Sequence, residues 1–131
     1  MKKGSLELGE KPSAADLEKL RLGLSFDLPE SYINFLQKHN GASGDLPVQP
    51  CYFQLWRIDE IIENNQDYEI QDYLPGYFGI GGNGGGEFLA IHLENQKIFT
   101  IPFIPMDEEN AWLVAESFED LEKILGFTTE E

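Results

Sequence analysis

The feature that constrains the fold most is a glycine-rich stretch leading directly into an apolar one. Six of the chain's thirteen glycines lie within residues 79–86, and residues 88–93 read Phe-Leu-Ala-Ile-His-Leu. Such an apolar run predicts a buried strand, and residues 77–80 predict the strand before it. The glycines between them indicate a hairpin turn or bulge with positive φ angles and close backbone packing. The predicted turn residues are Gly79, Gly81, Gly82, Asn83, Gly84, Gly85 and Gly86.

Residues 79–84 also match the phosphate-binding pattern GxGxxG. In dinucleotide-binding folds this pattern opens a helix, and the N-terminus of that helix receives the pyrophosphate. Here a strand follows instead. No lysine follows as in a P-loop, and the nearest cations, Arg57 and Lys97, are ten or more residues away. We therefore expect the glycines to have a structural role, and no cofactor to bind.

The net charge of −15 lies entirely in the second half of the chain. Residues 59–131 carry two Lys against seventeen Asp or Glu, whereas residues 1–58 carry seven basic and seven acidic residues. A field of this sign repels nucleic acid and anionic membranes and attracts basic partners. Surplus carboxylates that only keep a protein soluble are the alternative interpretation. No segment approaches the roughly 20 apolar residues of a membrane span, and we expect a cytoplasmic protein.

Residue patterns in the first half predict two helices, a strand and a short third helix, and we expect one domain over residues 1–131 with its core at about 13–127. Capping residues and apolar spacing set the boundaries. In chain order these are an irregular lead-in (1–11), a helix capped by Ser13 and ending at Gly23, a helix capped by Asp27 or Leu28 with Pro29 in its first turn and ending at Asn40-Gly41, a loop (42–50), a strand (51–56), and a helix capped by Asp59 through Ile62 or Asn65.

The second half predicts further strands and a closing helix, which together with the first half indicates an α+β domain with a mainly antiparallel sheet. In chain order we expect a loop or partial turn (64–74), strands (77–80, 87–93 and 97–101), an acidic loop (106–110), a possible edge strand (111–115), and a helix started by Ser117 and ended by Gly126-Phe127.

No residue set indicates catalysis or metal binding. Cys51, His39 and His92 are too few for a zinc site. Cys51 begins an apolar strand, which favours a small core residue, and His39 is expected at the surface in the last turn of its helix. Carboxylate pairs can be chosen almost anywhere in so acidic a chain and therefore indicate nothing, and residues 107–110 lack the length and glycine of a calcium loop. We expect a protein without enzymatic activity.

Four motifs occur in order along the chain. They are Leu28-Pro29-x-x-Tyr32-x-x-Phe35-Leu36-x-x-x-Asn40-Gly41, Trp56-x-Ile58-x-Glu60-Ile61, the glycine stretch from Phe78 to Phe88, and Ala115-x-Ser117-Phe118-x-x-Leu121. Their order and spacing resemble the SUKH superfamily, in the branch named for the fungal Smi/Knr regulator of cell-wall glucan synthesis. The resemblance covers about residues 17–127. Asn83 stands where family members often carry Asp, which affects the chemistry of the turn.

This resemblance implies helices around a strongly bent antiparallel sheet and no enzymatic activity. Bacterial members resemble immunity proteins that neutralise polymorphic toxins, many of them nucleases. The expected function is therefore a protein-binding module, an immunity protein that binds a basic toxin domain through its acidic half. The alternative is a regulatory scaffold in cell-wall or signalling assemblies. We expect a monomer or weak dimer.

The motif residues form the scaffold, so the interface must be predicted from charge and aromatic content. Carboxylates are expected to attract the partner, and exposed aromatic rings are expected to anchor it. The predicted interface residues are Asp67, Tyr68, Glu69, Asp72, Tyr73, Asp107, Glu108, Glu109 and Trp112.

Overall fold

The centre of the structure is a curled sheet whose strands pair antiparallel in the order in which they occur in the chain. The computed structural model describes residues 7–8, 10–23, 28–45, 52–83, 86–104 and 106–125. The predicted α+β fold with a bent antiparallel sheet is confirmed. The strands are β1 (Glu7–Leu8), β2 (Ala42–Asp45), β3 (Tyr52–Leu55), β4 (Tyr77–Gly82), β5 (Glu87–His92), β6 (Ile98–Pro102) and β7 (Trp112–Ala115).

The helices flank this sheet, and two predicted caps are confirmed. The Ser13 hydroxyl accepts a hydrogen bond from the Asp16 N–H, and the Ser117 hydroxyl accepts one from the Asp120 N–H, both at 3.1 Å. Among the described residues, no helix has the length and apolar character needed to cross a membrane. The helices are α1 (Ala14–Gly23), α2 (Glu30–Lys38), α3 (Ile58–Asp67), α4 (Ile70–Tyr73) and α5 (Phe118–Leu125), with a 3-10 helix at Glu108–Asn110.

Both faces of the central strands are buried, which explains the continuous apolar run in β5. Leu89 and Ile91 belong to the larger core, which contains residues of α2, α3 and α5. Phe88 and Ala90 belong to a second core, together with residues of α4. Successive side chains of a strand point to opposite faces, so a strand covered on both sides is apolar throughout.

Two predicted irregular segments contain strands. β1 lies within the expected lead-in and pairs with β2, which in turn lies within the expected loop 42–50. The sequence Ala-Ser-Gly-Asp of β2 has little intrinsic preference for a strand. Its extended form is stabilised by pairing with β3 through four residue pairs, from Ala42 opposite Leu55 to Asp45 opposite Tyr52.

The third helix differs most from the prediction. α3 begins at Ile58, so Asp59 lies inside its first turn and is not the cap. The Ile58 N–H instead donates to the Asn40 side chain at 2.7 Å. Asn40, which follows α2 and lies near the end of the motif from Leu28 to Gly41, therefore caps α3. The helix continues to Asp67, and α4 follows within the segment predicted as a loop or partial turn.

The remaining boundaries differ less. α2 begins at Glu30, which places Pro29 at the cap position, one residue outside the first turn. His39 is half-buried after α2, with its ring centre 5.7 Å from that of Phe35, and is not a simple surface residue. The predictions for Cys51, Gly84, Gly85, Gly126 and Phe127 lie outside the described residues.

Tyr32 presents an unpaired hydroxyl to the core. Its side chain is fully buried against Phe118, and no described group lies within hydrogen-bond distance of the hydroxyl. An unpaired buried hydroxyl costs free energy that a matching apolar group does not. We expect Tyr32→Phe to raise the free energy of unfolding by about 1 kcal/mol, measured by urea denaturation at neutral pH.

The same variant has a pH signature that a general packing change lacks. Burial raises the pKa of Tyr32 far above its ordinary value, whereas an unfolded tyrosine ionises near pH 10. The unfolded state therefore loses this proton first as the pH rises, which destabilises the fold by up to about 1.4 kcal/mol per pH unit above pH 10. Tyr32→Phe should have a shallower alkaline slope, and an unchanged slope would contradict this account.

Candidate functional site

The surface that carries most of the predicted interface is positioned by one buried side chain, Asn65. β4 contains a bulge between Gly79 and Gly81, and it pairs with β3 at Gly81 and Gly82. One side of Gly79 faces Ala90 of β5. On the other side, the backbone groups of Gly79 hydrogen-bond to the Asn65 amide and not to a strand. Its Oδ1 accepts from the Gly79 N–H at 2.8 Å, and its Nδ2 donates to the Gly79 carbonyl at 2.9 Å. This pair of hydrogen bonds fixes α3 beside the bulge.

Gln71 connects α4 to the same network. Its Nε2 donates to Asn65 Oδ1 at 3.0 Å and to the Tyr77 carbonyl at 2.7 Å. Asn65 Nδ2 also donates to the Ile61 carbonyl within α3 at 2.8 Å. The polar side chains of α3 and α4 thus satisfy backbone groups of β4, and they hold the helical segment against the sheet.

The glycines at the bulge are required for close approach. A Cβ at Gly79 would lie 2.6 Å from Ile70 Cδ1, and one at Gly81 would overlap the β3 backbone, 2.9 Å from Leu55 Cα. The predicted close packing is therefore confirmed. The predicted positive φ is wrong for the described glycines of the stretch, because the positive-φ glycine of the described residues is Gly41. Gly79 and Gly81 lie in the extended strand β4, and their missing side chains make room for neighbouring groups.

Glu69 turns the chain between α3 and α4. It adopts the left-handed conformation, with φ 56° and ψ 40°. This conformation costs a residue with a side chain about 1 kcal/mol. The turn is stabilised by Ile70, which is fully buried in the second core. Asp67, Tyr68 and Glu69, which precede Ile70, are exposed to solvent.

These exposed residues line a groove with a volume of about 800 Å³, which we call the first groove. One wall comes from the α3–α4 segment and the other from the segment after β6. Four of the nine predicted interface residues lie here. The lining residues are Asp67, Tyr68, Glu69, Tyr73, Phe103, Ile104 and Met106.

Aromatic rings that contact one another connect the two walls of the first groove. The ring centre of Tyr68 lies 4.4 Å from that of Phe103 and 6.3 Å from that of Trp56. Phe103 in turn stacks on buried Phe88 of β5 at 5.0 Å. Offset aromatic contacts at these distances are favourable, so the exposed Tyr68 is anchored to the sheet.

A second groove, of about 520 Å³, adjoins the first at Tyr73, which lines both grooves. Its lining includes Tyr77, His92, Glu94 and Glu108, together with the backbone turn at residues 74–76. The Tyr77 hydroxyl donates to a Glu108 carboxylate oxygen at 3.3 Å. Burial, followed by the nearby Glu108 charge, raises the pKa of Tyr77 to about 12. The phenol therefore remains a hydrogen-bond donor at neutral pH.

The structure does not bring the other predicted interface residues into the grooves. Asp72 and Glu109 are exposed on their helices, but neither is among the residues that line the grooves. Asp107 caps the 3-10 helix, since its Oδ1 accepts from the Asn110 backbone and side chain at 3.2 and 2.7 Å. Trp112 lies on the edge strand β7, 62% exposed.

Sequence reasoning missed the second wall of the first groove. Phe103, Ile104 and Met106 follow β6, and Ile104 is 90% exposed. The sequence contained a sign of this exposure. The apolar residues lie between Pro102, which interrupts strand pairing, and an acidic turn, so they were not expected to continue a strand. Ile104 shares the lining of the first groove with exposed Tyr68 and Tyr73, and exposed apolar side chains that cluster in this way are a feature of interaction surfaces.

The grooves are negative, and their carboxylates are available. Among the residues that the structure describes, no Lys or Arg lines either groove. Within the described part of the chain, Asp67, Glu69 and Glu94 have no ion-pair partner, whereas Arg57 pairs with Asp59 at 3.4 Å and Lys97 pairs with Glu116 at 3.5 Å. The described residues also contain no group of three or more His, Cys, Asp or Glu that could hold a metal ion. The arrangement suits a cationic partner.

Comparison with known families accounts for this architecture. A model of the SMI1 / KNR4 family (SUKH-1) matches residues 11–123 of the 131. The chain belongs to that family. Comparison with the curated proteins gives no match. Family membership makes this SUKH-1 domain a protein-interaction module at the coarse level, in a family that is generally non-enzymatic.

Membership also gives the motif residues of this SUKH-1 domain a physical meaning. Asn40 caps α3, and Gly41 has φ 96° where a Cβ would lie 3.1 Å from the Leu55 carbonyl oxygen. Tyr32 and Phe35 both contact the Phe118 ring, at 5.1 and 5.4 Å. The residues of the four motifs thus hold the scaffold together, whereas the two grooves are lined mainly by residues outside these motifs.

Proposed function

We propose that this SUKH-1 domain is a non-enzymatic immunity protein that binds and neutralises a basic toxin domain in the bacterial cytoplasm. The observation that carries the proposal is the pair of adjoining acidic grooves, whose lining, over the described part of the chain, contains carboxylates and no Lys or Arg. The net charge of −15 adds long-range attraction for a cationic partner. The proposed contact surface comprises the linings of both grooves.

The nature of the surface supports a protein partner. Half-exposed Tyr68, exposed Tyr73 and exposed Ile104 supply apolar area, and carboxylates surround them. Aromatic anchors surrounded by polar groups are typical of protein interfaces. Negative charge opposes binding to nucleic acid or to an anionic membrane, because their phosphates carry the same sign.

The test is binding to, and protection from, the product of the adjacent upstream gene. The full chain should co-purify with that protein and should protect cells that express it. The double variant Asp67→Lys, Glu69→Lys should weaken binding by about 100-fold or more, because each reversal turns an attraction into a repulsion. Binding of the unchanged chain should also weaken as salt concentration rises.

A matched double variant controls for net charge alone. Glu10→Lys, Glu18→Lys makes the same change in charge at two exposed positions outside the grooves, and we expect it to reduce affinity only slightly. Equal losses in the two double variants would contradict the proposed surface. A chain that neither binds nor protects would exclude the immunity proposal. Capture of an endogenous cell-wall or signalling protein would instead support the regulatory scaffold.

A further inference from the structure

Tyr73 lies where the two acidic grooves meet, because it lines both of them. Its side chain is 60% exposed. Unlike Tyr68, it makes no ring contact with any described residue. Both conditions leave its ring free to stack on a ligand group. α4, which carries Tyr73, is fixed by buried Ile70 and by the hydrogen bonds of Gln71 to Asn65 and to the Tyr77 carbonyl. The ring is therefore presented on an anchored element.

Carboxylates line each of the two grooves that meet at this ring. Asp67 and Glu69 line the first groove, and Glu94 and Glu108 line the second. The face of an aromatic ring attracts cations through its quadrupole. A cation above Tyr73 would therefore be stabilised by the ring beneath it and by carboxylates of the two grooves.

We propose that Tyr73 and its flanking carboxylates bind an arginine side chain of the partner, with the guanidinium stacked on the tyrosine ring. This inference rests on the proposed function, whose partner it describes more closely. Arginine fits better than lysine, because its guanidinium is planar, is more weakly hydrated and donates several hydrogen bonds in one plane. Those donors can reach carboxylates of the two grooves while the flat face stays on the ring.

Neighbouring features agree with a ligand that has an aliphatic stem. Ile104 and Met106 line the first groove beside the aromatic rings, and an arginine stem covers apolar surface while its head stays in water. A second copy of this chain is a poorer occupant, because two surfaces of the same charge would face each other.

The experiment titrates the isotope-labelled full chain with the peptide acetyl-Gly-Arg-Gly-Arg-Gly-amide, followed by NMR at neutral pH and low ionic strength. We expect shifts of the amide signals in α4 and in the linings of the two grooves. The corresponding lysine peptide should bind more weakly by about threefold. Equal binding of the two peptides, or shifts confined to other surfaces, would overturn the proposal.

Variants at exposed positions separate stacking from simple charge attraction. Tyr73→Leu should weaken binding of the arginine peptide by about two- to fivefold, whereas Tyr73→Phe, which keeps the ring, should bind like the unchanged chain. Glu69→Gln should weaken binding, and Glu18→Gln, which removes the same charge outside both grooves, should not. Unaltered binding by Tyr73→Leu would overturn the stacking role.

The two proposals fail in different ways. The peptide titration requires no toxin, so a chain that binds the arginine peptide but neither binds the product of the adjacent upstream gene nor protects against it would leave this inference standing and exclude the immunity function. Toxin neutralisation that survives Tyr73→Leu, in a chain that does not bind the arginine peptide, would exclude the inference and leave the function standing.

Discussion

Gly81→Ala is expected to lower the free energy of unfolding by about 3 kcal/mol or more. The added methyl group would overlap the Gln54 carbonyl oxygen and lie 2.9 Å from Leu55 Cα. Both obstacles are backbone atoms of β3, which pairs with Gly81 itself. They cannot move away as a flexible side chain could, so the strand pairing must separate. Urea denaturation of the two proteins measures the difference.

Gly86→Ala is the matched control within the same glycine stretch. A Cβ at Gly86 would meet no atom within 4 Å, and its φ lies outside the left-handed region. We expect this variant to be neutral or stabilised by a few tenths of a kcal/mol, because alanine reduces the entropy of the unfolded chain. Similar effects of the two substitutions would show that the glycines act through backbone flexibility and not through close approach.

Asn65→Leu is expected to cost about 3 kcal/mol. Asn65 is 3% exposed, and its amide hydrogen-bonds to both backbone groups of Gly79. Leucine has a similar volume but no polar atom, so the Gly79 N–H and carbonyl would be buried without these partners. The Gln71 side chain would also lose its contact with Asn65 Oδ1. Denaturation and hydrogen exchange at the Gly79 amide measure the two consequences.

Asn65→Asp adds a pH signature to this prediction. The buried carboxyl would have a raised pKa, because burial disfavours its charged form and the Gly79 carbonyl requires a donor. The variant should therefore be most stable in acid, where the carboxyl keeps its proton, and should lose stability as the pH rises towards neutrality. Asn64→Asp, on the same helix and only half-buried, is the control, and we expect it to lack this dependence. A flat pH profile for Asn65→Asp would contradict the role assigned to the amide.

Asn65 also links the fold to the proposed function. The hydrogen bonds that it makes with β4 and Gln71 fix α3 and α4, and these helices present Asp67, Glu69 and Tyr73 to the grooves. Substitutions at Asn65 should therefore weaken partner binding, although this residue lies beneath the surface. The proposed binding surface thus depends on a buried polar network.

Local signals predicted several elements correctly. Ser13 and Ser117 are the caps expected from the Asp that follows each of them by three residues, and the apolar runs located β4, β5 and β6. These features are encoded over a few residues, so a local pattern is sufficient. β2, α4 and the last residues of α3 were not predicted as such, since their polar sequences form regular structure through partners distant in the chain.

The candidate site was predicted in part. Charge and aromatic content selected Asp67, Tyr68, Glu69 and Tyr73, which share the first groove. Trp112 met the same criteria, but it lies on the edge strand outside both grooves. Composition indicates which residues could bind a partner, whereas their assembly on one surface depends on how separate segments pack.

The sequence by itself determined the fold class, the family motifs and the sign of the chain's own net charge, because local pattern and net charge do not depend on tertiary contacts. Only the tertiary structure decided what the glycine stretch does: Gly79 gives room to α4 and the Asn65 amide, and Gly81 gives room to β3. The same packing joined the segment after β6 to the α3–α4 segment and produced the grooves around Tyr73. The physical reason is that each of these contacts joins surfaces from separate parts of the chain, whose fit no single segment specifies.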